Sequence, residues 1–379
     1  MPTKYDVFAE LIEHAPIAAK DLPFKTRVYA HLKALVDDGL AKKQGTQYVP
    51  VKTEKTLHMF RIIRYCIKNG LDYNQFLVTK NAETISVLFD SAPVLRPTTL
   101  RNNSDVATFI NYLENHQFVL LTKLRPRQGL ILEHQLLDET MHLFENIKKK
   151  PQTQYIPVQN ELTKITSEPI NPFDDDTFAF LAGSAQLEGS TVTIGETREI
   201  ILQDIYPDKP KKDIQMVKNL NEALHYIIEH LTESITPEHI QELNKAVLFS
   251  LHRNAGKYKK TQNKIQGNPS FKTAKPYEIA QRMIEYCEFL NTVHDNNDCL
   301  NQLGKIHNDL QHIHPFSDGN SRTTRMIVNW MLLKHQIPLL VLKMGCFDAY
   351  MNQTKLAKIR NDEQLKLLLH QVLYHEQLR

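Results

Sequence analysis

The sequence is poor in the features that mark secreted, membrane-spanning or metal-stapled proteins. Four cysteines occur in 379 residues, Cys66, Cys287, Cys299 and Cys346, far apart and with none of the paired spacings of a zinc site. They read as small buried hydrophobes in a reducing compartment. No apolar run approaches the roughly 20 residues that cross a bilayer, so no membrane partner is expected. Met1 to Glu13 mixes charged and apolar residues and lacks the apolar block of a signal peptide. The expectation is a cytoplasmic protein, with secretion as an effector, by a route that reads no such peptide, left open. An excess of one charge sign is missing too: a formal net charge of +3 requires neither nucleic acid nor a membrane, and any basic patch must be local. No internal repeat of about 20–50 residues is visible.

What remains is an ordinary globular composition, 41% hydrophobic and 23% charged, in a chain long enough for two or three domains. Four segments are expected. Residues 1–52 carry a helix marked by Val7, Leu11 and Ile12, a short second helix over Ile17–Leu22, and a third from about Lys25 to Asp38. The third has Val28, Leu32, Leu35 and Val36 on one stripe and Gly39 at its C-terminal cap. A short hairpin follows around Lys42-Lys43-Gln44-Gly45. Three helices and a β wing resemble a winged helix-turn-helix domain. Residues 53–145 are mostly helical, with a second basic hairpin flanking Arg125-Pro126-Arg127-Gln128-Gly129, and read either as another winged-helix-like module or as a helical spacer. Residues 146–176, with Lys148-Lys149-Lys150, Pro151, Pro157, Pro169 and Pro172, read as an extended linker. Residues 177–379 are nearly all helix. Thr236-Pro237 opens one helix, and stripes recur over 212–233, 276–294, 298–312, 320–335 and 346–377. Asn263–Ala274 breaks helix and suggests a hairpin or an irregular flap.

The chemistry concentrates in His314-Pro315-Phe316-Ser317-Asp318-Gly319-Asn320-Ser321-Arg322-Thr323-Thr324-Arg325. Pro315 disfavours helix at His314, Gly319 and Asn320 suit a tight turn, and an apolar helical face begins after Ser321. A glycine-bearing loop entering a helix offers unpaired N–H groups to an anion. Arg322 and Arg325 neighbour each other on the helix and can fork onto phosphate oxygens. Asp318 is a hard carboxylate suited to Mg²⁺, and His314 is a base able to take a hydroxyl proton. Base, metal ligand, anion cradle and two arginines make a phosphoryl- or nucleotidyl-transfer site.

The stretch resembles the Fic family signature, His-Pro-Phe-x-(Asp/Glu)-Gly-Asn-Gly-Arg-x-x-Arg, with Ser321 in place of the second glycine; the resemblance covers about residues 177–375. It implies a mainly α fold, an all-helical Fic core with a short β-hairpin flap, preceded by the α+β winged helix-turn-helix-like domain. It also implies a protein adenylyltransferase that moves AMP from ATP to a Ser, Thr or Tyr hydroxyl of a target protein. In that reading His314 is the base and Asp318 holds Mg²⁺. Gly319, Asn320 and the Ser321 N–H line the anion hole, Arg322 binds the β-phosphate side and Arg325 the γ-phosphate. The Cβ of Ser321 narrows the space a glycine would leave.

Ser184-Ala185-Gln186-Leu187-Glu188-Gly189 matches the family's inhibitory pattern, (Ser/Thr)-x-x-x-Glu-(Gly/Asn). A carboxylate at the end of a helix opposes the helix dipole and needs a cation; the resemblance implies that Arg325 is that cation, and that the pair blocks the γ-phosphate. In some relatives this glutamate also supports removal of AMP. Ile265, Gln266, Gly267 and Asn268 lie where the family has a flap that covers the nucleotide, and Tyr350 resembles the tyrosine of its adenine pocket.

For the N-terminal region, Thr26, Arg27, Tyr29 and Lys33 near the start of the third helix, with Lys42 and Lys43 in the wing, are the DNA-binding candidates. Against DNA, residues 1–52 hold eight Lys/Arg against six Asp/Glu. Winged helices also dock proteins or pair as homodimers. Three readings therefore stand: an autoinhibited AMP transferase, a DNA-binding transcription regulator that uses the core as a nucleotide sensor, and an AMP-removing hydrolase worked by Glu188. An intact His314 favours the first, because a sensor needs the cradle but not the base.

Overall fold

The structure, a computed structural model, describes residues 2–90, 104–145 and 153–379. The Lys148–Lys150 and Pro151 part of the expected linker lies outside the described residues. In chain order the α-helices are α1 (Lys4–His14), α2 (Val28–Asp37), α3 (Glu54–Asn69), α4 (Thr79–Asp90), α5 (Ser104–Asn115), α6 (Gln135–Leu143), α7 (Gln159–Leu162), α8 (Asp175–Gln186), α9 (Ile194–Gln203), α10 (Lys211–Glu229), α11 (Pro237–Val247), α12 (Ile279–Asn291), α13 (Asn296–Ile313), α14 (Asn320–Lys334), α15 (Phe347–Gln353) and α16 (Asp362–Gln377). The strands are β1 (Ile17–Ala18), β2 (Ala41–Gln44), β3 (Gln47–Pro50), β4 (Val119–Leu124) and β5 (Arg127–Ile131). The fold is mainly α, and no described helix is long and apolar enough to cross a membrane.

The described residues form two compact units, 2–90 with 104–109 and 135–145, and 110–134 with 153–379. In the first, Thr3 caps α1 in a reciprocal box with Asp6, and Gly39 ends α2 in the left-handed region at φ +72°. The segment Ile17–Leu22 is not the helix its composition suggests. Pro16 and Pro23 leave too short a stretch between them to nucleate one. Its first two residues instead form β1, paired antiparallel with β3 in a sheet of order β1-β3-β2, followed by a single 3-10 turn. The helix expected from Lys25 starts only at Val28, because Arg27 sits at φ +58°.

The boundaries drawn from composition differ from these units at the second hairpin. β4 and β5 belong to the larger unit rather than to a 53–145 module. Their apolar residues Val119, Leu120, Leu130 and Ile131 are buried, and Leu120 joins the same core cluster as the C-terminal helices. The Leu121 N–H donates to His375 Nδ1 at 2.8 Å, and His375 Nε2 contacts the Glu114 carbonyl at 3.0 Å, which ties the hairpin to α16. Hydrophobic residues on both strands need an apolar partner surface, and α16 supplies it.

The rest of the larger unit is a helical bundle around α14, which is buried on every side from Asn320 to Leu333. Thr236 and Pro237 start α11 as expected, the threonine side chain accepting from the His239 N–H. The stripe read over 346–377 is two helices, because Thr354 leaves helical geometry and Asn361 caps a new start. Asn263–Ala274 carries no strand, which corrects the expected β-hairpin flap to an irregular loop. Pro269 offers no N–H, and side chains take the backbone acceptors: Asn268 Nδ2 donates to the Lys355 and Ala357 carbonyls (3.0 and 2.8 Å) and Gln262 Nε2 to that of Thr273 (3.0 Å).

Helices α13 and α16 meet at Gly304, where an added Cβ would stand 2.0 Å from the Asp362 carbonyl oxygen. Gly304→Ala is therefore expected to lower Tm, although alanine raises intrinsic helix stability by up to about 1 kcal/mol. Gly195→Ala in α9, where a Cβ meets nothing within 4 Å, is expected to raise it. Thermal unfolding of the two variants checks the signs, and a stabilising Gly304→Ala would contradict the close approach.

Candidate functional site

The loop between α13 and α14 is held from within and from three neighbouring segments. Helix α13 stops at Ile313 because Pro315 disfavours a further turn, and His314 takes the left-handed conformation at φ +49°. Asn320 closes the loop on Phe316: its Oδ1 accepts from the Phe316 N–H at 2.9 Å and its Nδ2 donates to the Phe316 carbonyl at 2.8 Å. Phe316 is 1% exposed and its backbone bridges to Tyr258. Asn263 Nδ2 donates to the same carbonyl at 3.0 Å. From α11, Asn244 donates to the Asp318 carbonyl (3.2 Å) and to Thr323 Oγ1 (3.1 Å). Gly319 stands at φ +75° where a Cβ would meet Asn244 and Leu248 at 2.9 Å, so shape and dihedral both require glycine. Helix α14 then begins without a side-chain cap, leaving its N-terminus to the loop.

Six side chains, His314, Asp318, Arg322, Arg325, Glu188 and Lys355, carry the electrostatics. His314 is buried, and burial first, then the positive charge of Lys355, lowers its pKa to about 4. Its Nδ1 lies 3.2 Å from the Gln311 carbonyl. A carbonyl only accepts, so Nδ1 carries the proton and Nε2 keeps a free lone pair. Asp318 has a side chain 54% exposed; one oxygen accepts from the Gly319 N–H at 2.6 Å and stands 3.5 Å from Arg322 Nη2. Arg322 is 6% exposed, and its Nε, like the Ser321 hydroxyl, has no partner among the described residues. A buried guanidinium donor is suited to the oxygen of an anion.

Arg325 is satisfied from a distant stretch of chain. Its Nε donates to Ser184 Oγ, and its Nη2 to the Ser184 carbonyl and to Glu188 Oε1, each at 2.9 Å. Glu188 follows the last turn of α8, where Gly189 at φ +87° reverses the chain. Burial alone would raise the Glu188 pKa, but the charges of Arg325, Lys355 and Arg322 outweigh it and hold the carboxyl below its usual range. Glu188, Gln311, Ser321, Arg325, Tyr350 and Lys355 enclose a cavity of only about 50 Å³. That holds water but not a nucleotide, since small-molecule sites run to about 300–1,000 Å³.

Of the residues singled out from sequence, the fold thus brings Glu188, Arg325, Ser321 and Tyr350 to one cavity, with Ser184 behind it as an acceptor for Arg325. Tyr350 is 3% exposed, its hydroxyl 2.6 Å from His307 Nε2. The loop Ile265-Gln266-Gly267-Asn268 rests on residues 355–357 through Asn268. Thr26, Arg27, Tyr29, Lys33, Lys42 and Lys43 are all exposed in the smaller unit. Two residues escaped sequence reasoning: Asn244, which braces the loop, and Lys355, whose charge reaches Glu188 and His314. Neither sits in a motif, so only the fold reveals them.

Residues 234–332 match the model of the Fic/DOC family. Over 268 residues the chain is 26% identical to the protein adenylyltransferase Fic of Nematostella vectensis, covering 66% of this chain and 62% of that protein. Over 185 residues it is 28% identical to that of Drosophila grimshawi, covering 48% and 38%. The chain thus spans less than two thirds of the length of either relative. Among solved structures, a Fic domain-containing signaling protein of Bacteroides thetaiotaomicron aligns with a TM-score of 0.47 and 23% identity, over 58% of this chain and 92% of that one.

NMR of ring-labelled histidine tests the state of His314 directly. His314 is expected to remain the neutral Nδ1–H tautomer down to a pH near 4, where an exposed histidine titrates near about 6.5. A midpoint above 6 would contradict the buried, cation-flanked ring.

Proposed function

With a Fic/DOC-family domain at residues 234–332, we propose that this protein is an autoinhibited adenylyltransferase that moves AMP from ATP to a hydroxyl of a target protein. The observation that carries the reading is a neutral buried base, His314, beside a helix N-terminus and a buried arginine that lacks an acceptor on Nε. In the proposed reaction the target oxygen attacks the α-phosphorus, its proton passes to His314 Nε2, and pyrophosphate departs. Gly319 lines the phosphate cradle, backbone N–H groups at Asn320 and Ser321 donate into it, and Arg322 and Arg325 neutralise charge toward the leaving group. The loop at Ile265–Asn268 receives the target, and Tyr350 stands at the adenine side. Asp318 fits Mg²⁺: half-exposed, it uses one oxygen on Gly319 N–H and leaves lone pairs for a hard cation. Bound there, Mg²⁺ would offset phosphate charge.

Glu188 is the brake, since it occupies the arginine meant for phosphate and shuts the cavity. The same ionised carboxylate favours a second activity, orienting a water that removes AMP from modified targets. The smaller unit, with its exposed residues on α2 and β2, selects the partner, protein or DNA.

Self-labelling with α-³²P-ATP and Mg²⁺ tests the scheme. Glu188→Gly is expected to take up label at least tenfold faster than wild type, and Glu188→Gly/His314→Ala to take up none. Label that persists in the double variant would remove His314 as base. For the second activity, a labelled target should lose AMP with wild type and keep it with Glu188→Gly.

A further inference from the structure

A second cluster of ligating side chains lies in the turn between α10 and α11. His230 caps the end of α10, Glu233 follows in the turn, and His239 stands in the first turn of α11. One nitrogen from each histidine and one oxygen from Glu233 lie within 4.8 Å of one another, with His239 Nε2 3.5 Å from Glu233 Oε2. Three of four corners of a tetrahedral site are therefore present, and Glu233, its side chain 52% exposed, leaves the fourth to water.

The surroundings orient these groups as a metal site requires. His230 Nδ1 lies 2.8 Å from the Tyr226 carbonyl, so it carries the proton and Nε2 keeps the lone pair a metal needs. A backbone carbonyl behind a ligating imidazole is the usual support for such a ligand. The His230 ring stacks on Tyr226, with centroids 4.2 Å apart, and that of His239 packs on Trp330 at 5.7 Å. The turn itself is pinned: Asn291 exchanges two hydrogen bonds of 2.9 Å with the Ile235 backbone, and Lys334 Nζ donates to the Glu233 carbonyl at 2.6 Å. One contact opposes metal. His239 Nδ1 accepts from the Thr236 N–H at 3.4 Å, and ligation through Nε2 puts a proton on Nδ1 and ends that long bond. Asn291, Lys334 and the capped start of α11 hold the turn without it.

We propose that His230, Glu233 and His239 bind one divalent transition-metal ion, Zn²⁺ foremost, at a site separate from the Asp318 loop. Two imidazoles and one carboxylate suit zinc and its first-row neighbours, whereas Mg²⁺ prefers oxygen ligands alone. The ion joins the end of α10 to the start of α11, and through Trp330 braces α14.

The test uses the full-length chain, stripped with chelator and titrated with Zn²⁺ against a chromophoric competitor, with Co²⁺ as a spectroscopic substitute. One tightly bound equivalent is expected, with the visible absorption of tetrahedral Co²⁺ and a rise in Tm with excess Zn²⁺. Glu233→Gln, a surface change that leaves folding intact, should weaken Zn²⁺ at least tenfold, and His230→Ala/His239→Ala should abolish the absorption. Unchanged affinity in Glu233→Gln, or no tight equivalent in the wild type, would overturn the site. Mg²⁺ displacing Co²⁺ at equal concentration would do so too.

Discussion

A guanidinium carried into the interior must find acceptors, and most of the site's arrangement follows from how Arg325 finds them. Its side chain is 4% exposed and its partners, Ser184 of α8 and Glu188 just beyond that helix, lie 141 and 137 residues earlier in the chain. Removing one partner of such a pair leaves a buried charge uncompensated, at a cost of about 3–5 kcal/mol. That cost ties α8 to α14 beside a cavity of about 50 Å³. Under the proposed function a phosphate replaces Glu188 as the acceptor, so the contact that holds the resting protein is also the one the substrate displaces. In the proposed scheme inhibition is competition for one arginine.

His314 is governed by the same surroundings. Burial and Lys355 keep His314 neutral, and the Gln311 carbonyl fixes which nitrogen is free. The left-handed turn at His314 is accommodated because Asn320, Asn244 and Asn263 satisfy the loop backbone around it. In the proposed scheme this rigid support positions the base before any substrate arrives. Lys355 links the two halves of the site, lowering both the Glu188 carboxyl and the His314 imidazole.

Much of this was legible in the sequence, and the illegible parts share a cause. Local signals served well where a residue acts on its own backbone: Pro315 ending α13, Thr236-Pro237 starting α11, and Gly39 reversing the chain. The Ser184–Glu188–Arg325 contact was legible only through its resemblance to a family pattern, since no spacing rule connects residues so far apart. The failures lie where tertiary contacts decide. The hairpin of residues 119–131 has strand periodicity, but nothing local says that α16 will cover it. The loop at 263–274 has hairpin composition, but its side chains bond to residues 355–357 instead of forming a ladder. Asn244 and Lys355 carry no motif and acquire their roles from position alone.

Calorimetric titration of ATP into wild type and Glu188→Gly addresses the central claim, that Glu188 and a nucleotide phosphate compete for Arg325. The account predicts at least a tenfold tighter Kd for Glu188→Gly, and loss of that gain when Arg325→Ala is added. Equal affinity in wild type and Glu188→Gly would mean that the buried pair does not bar the nucleotide, and the account of inhibition would fall.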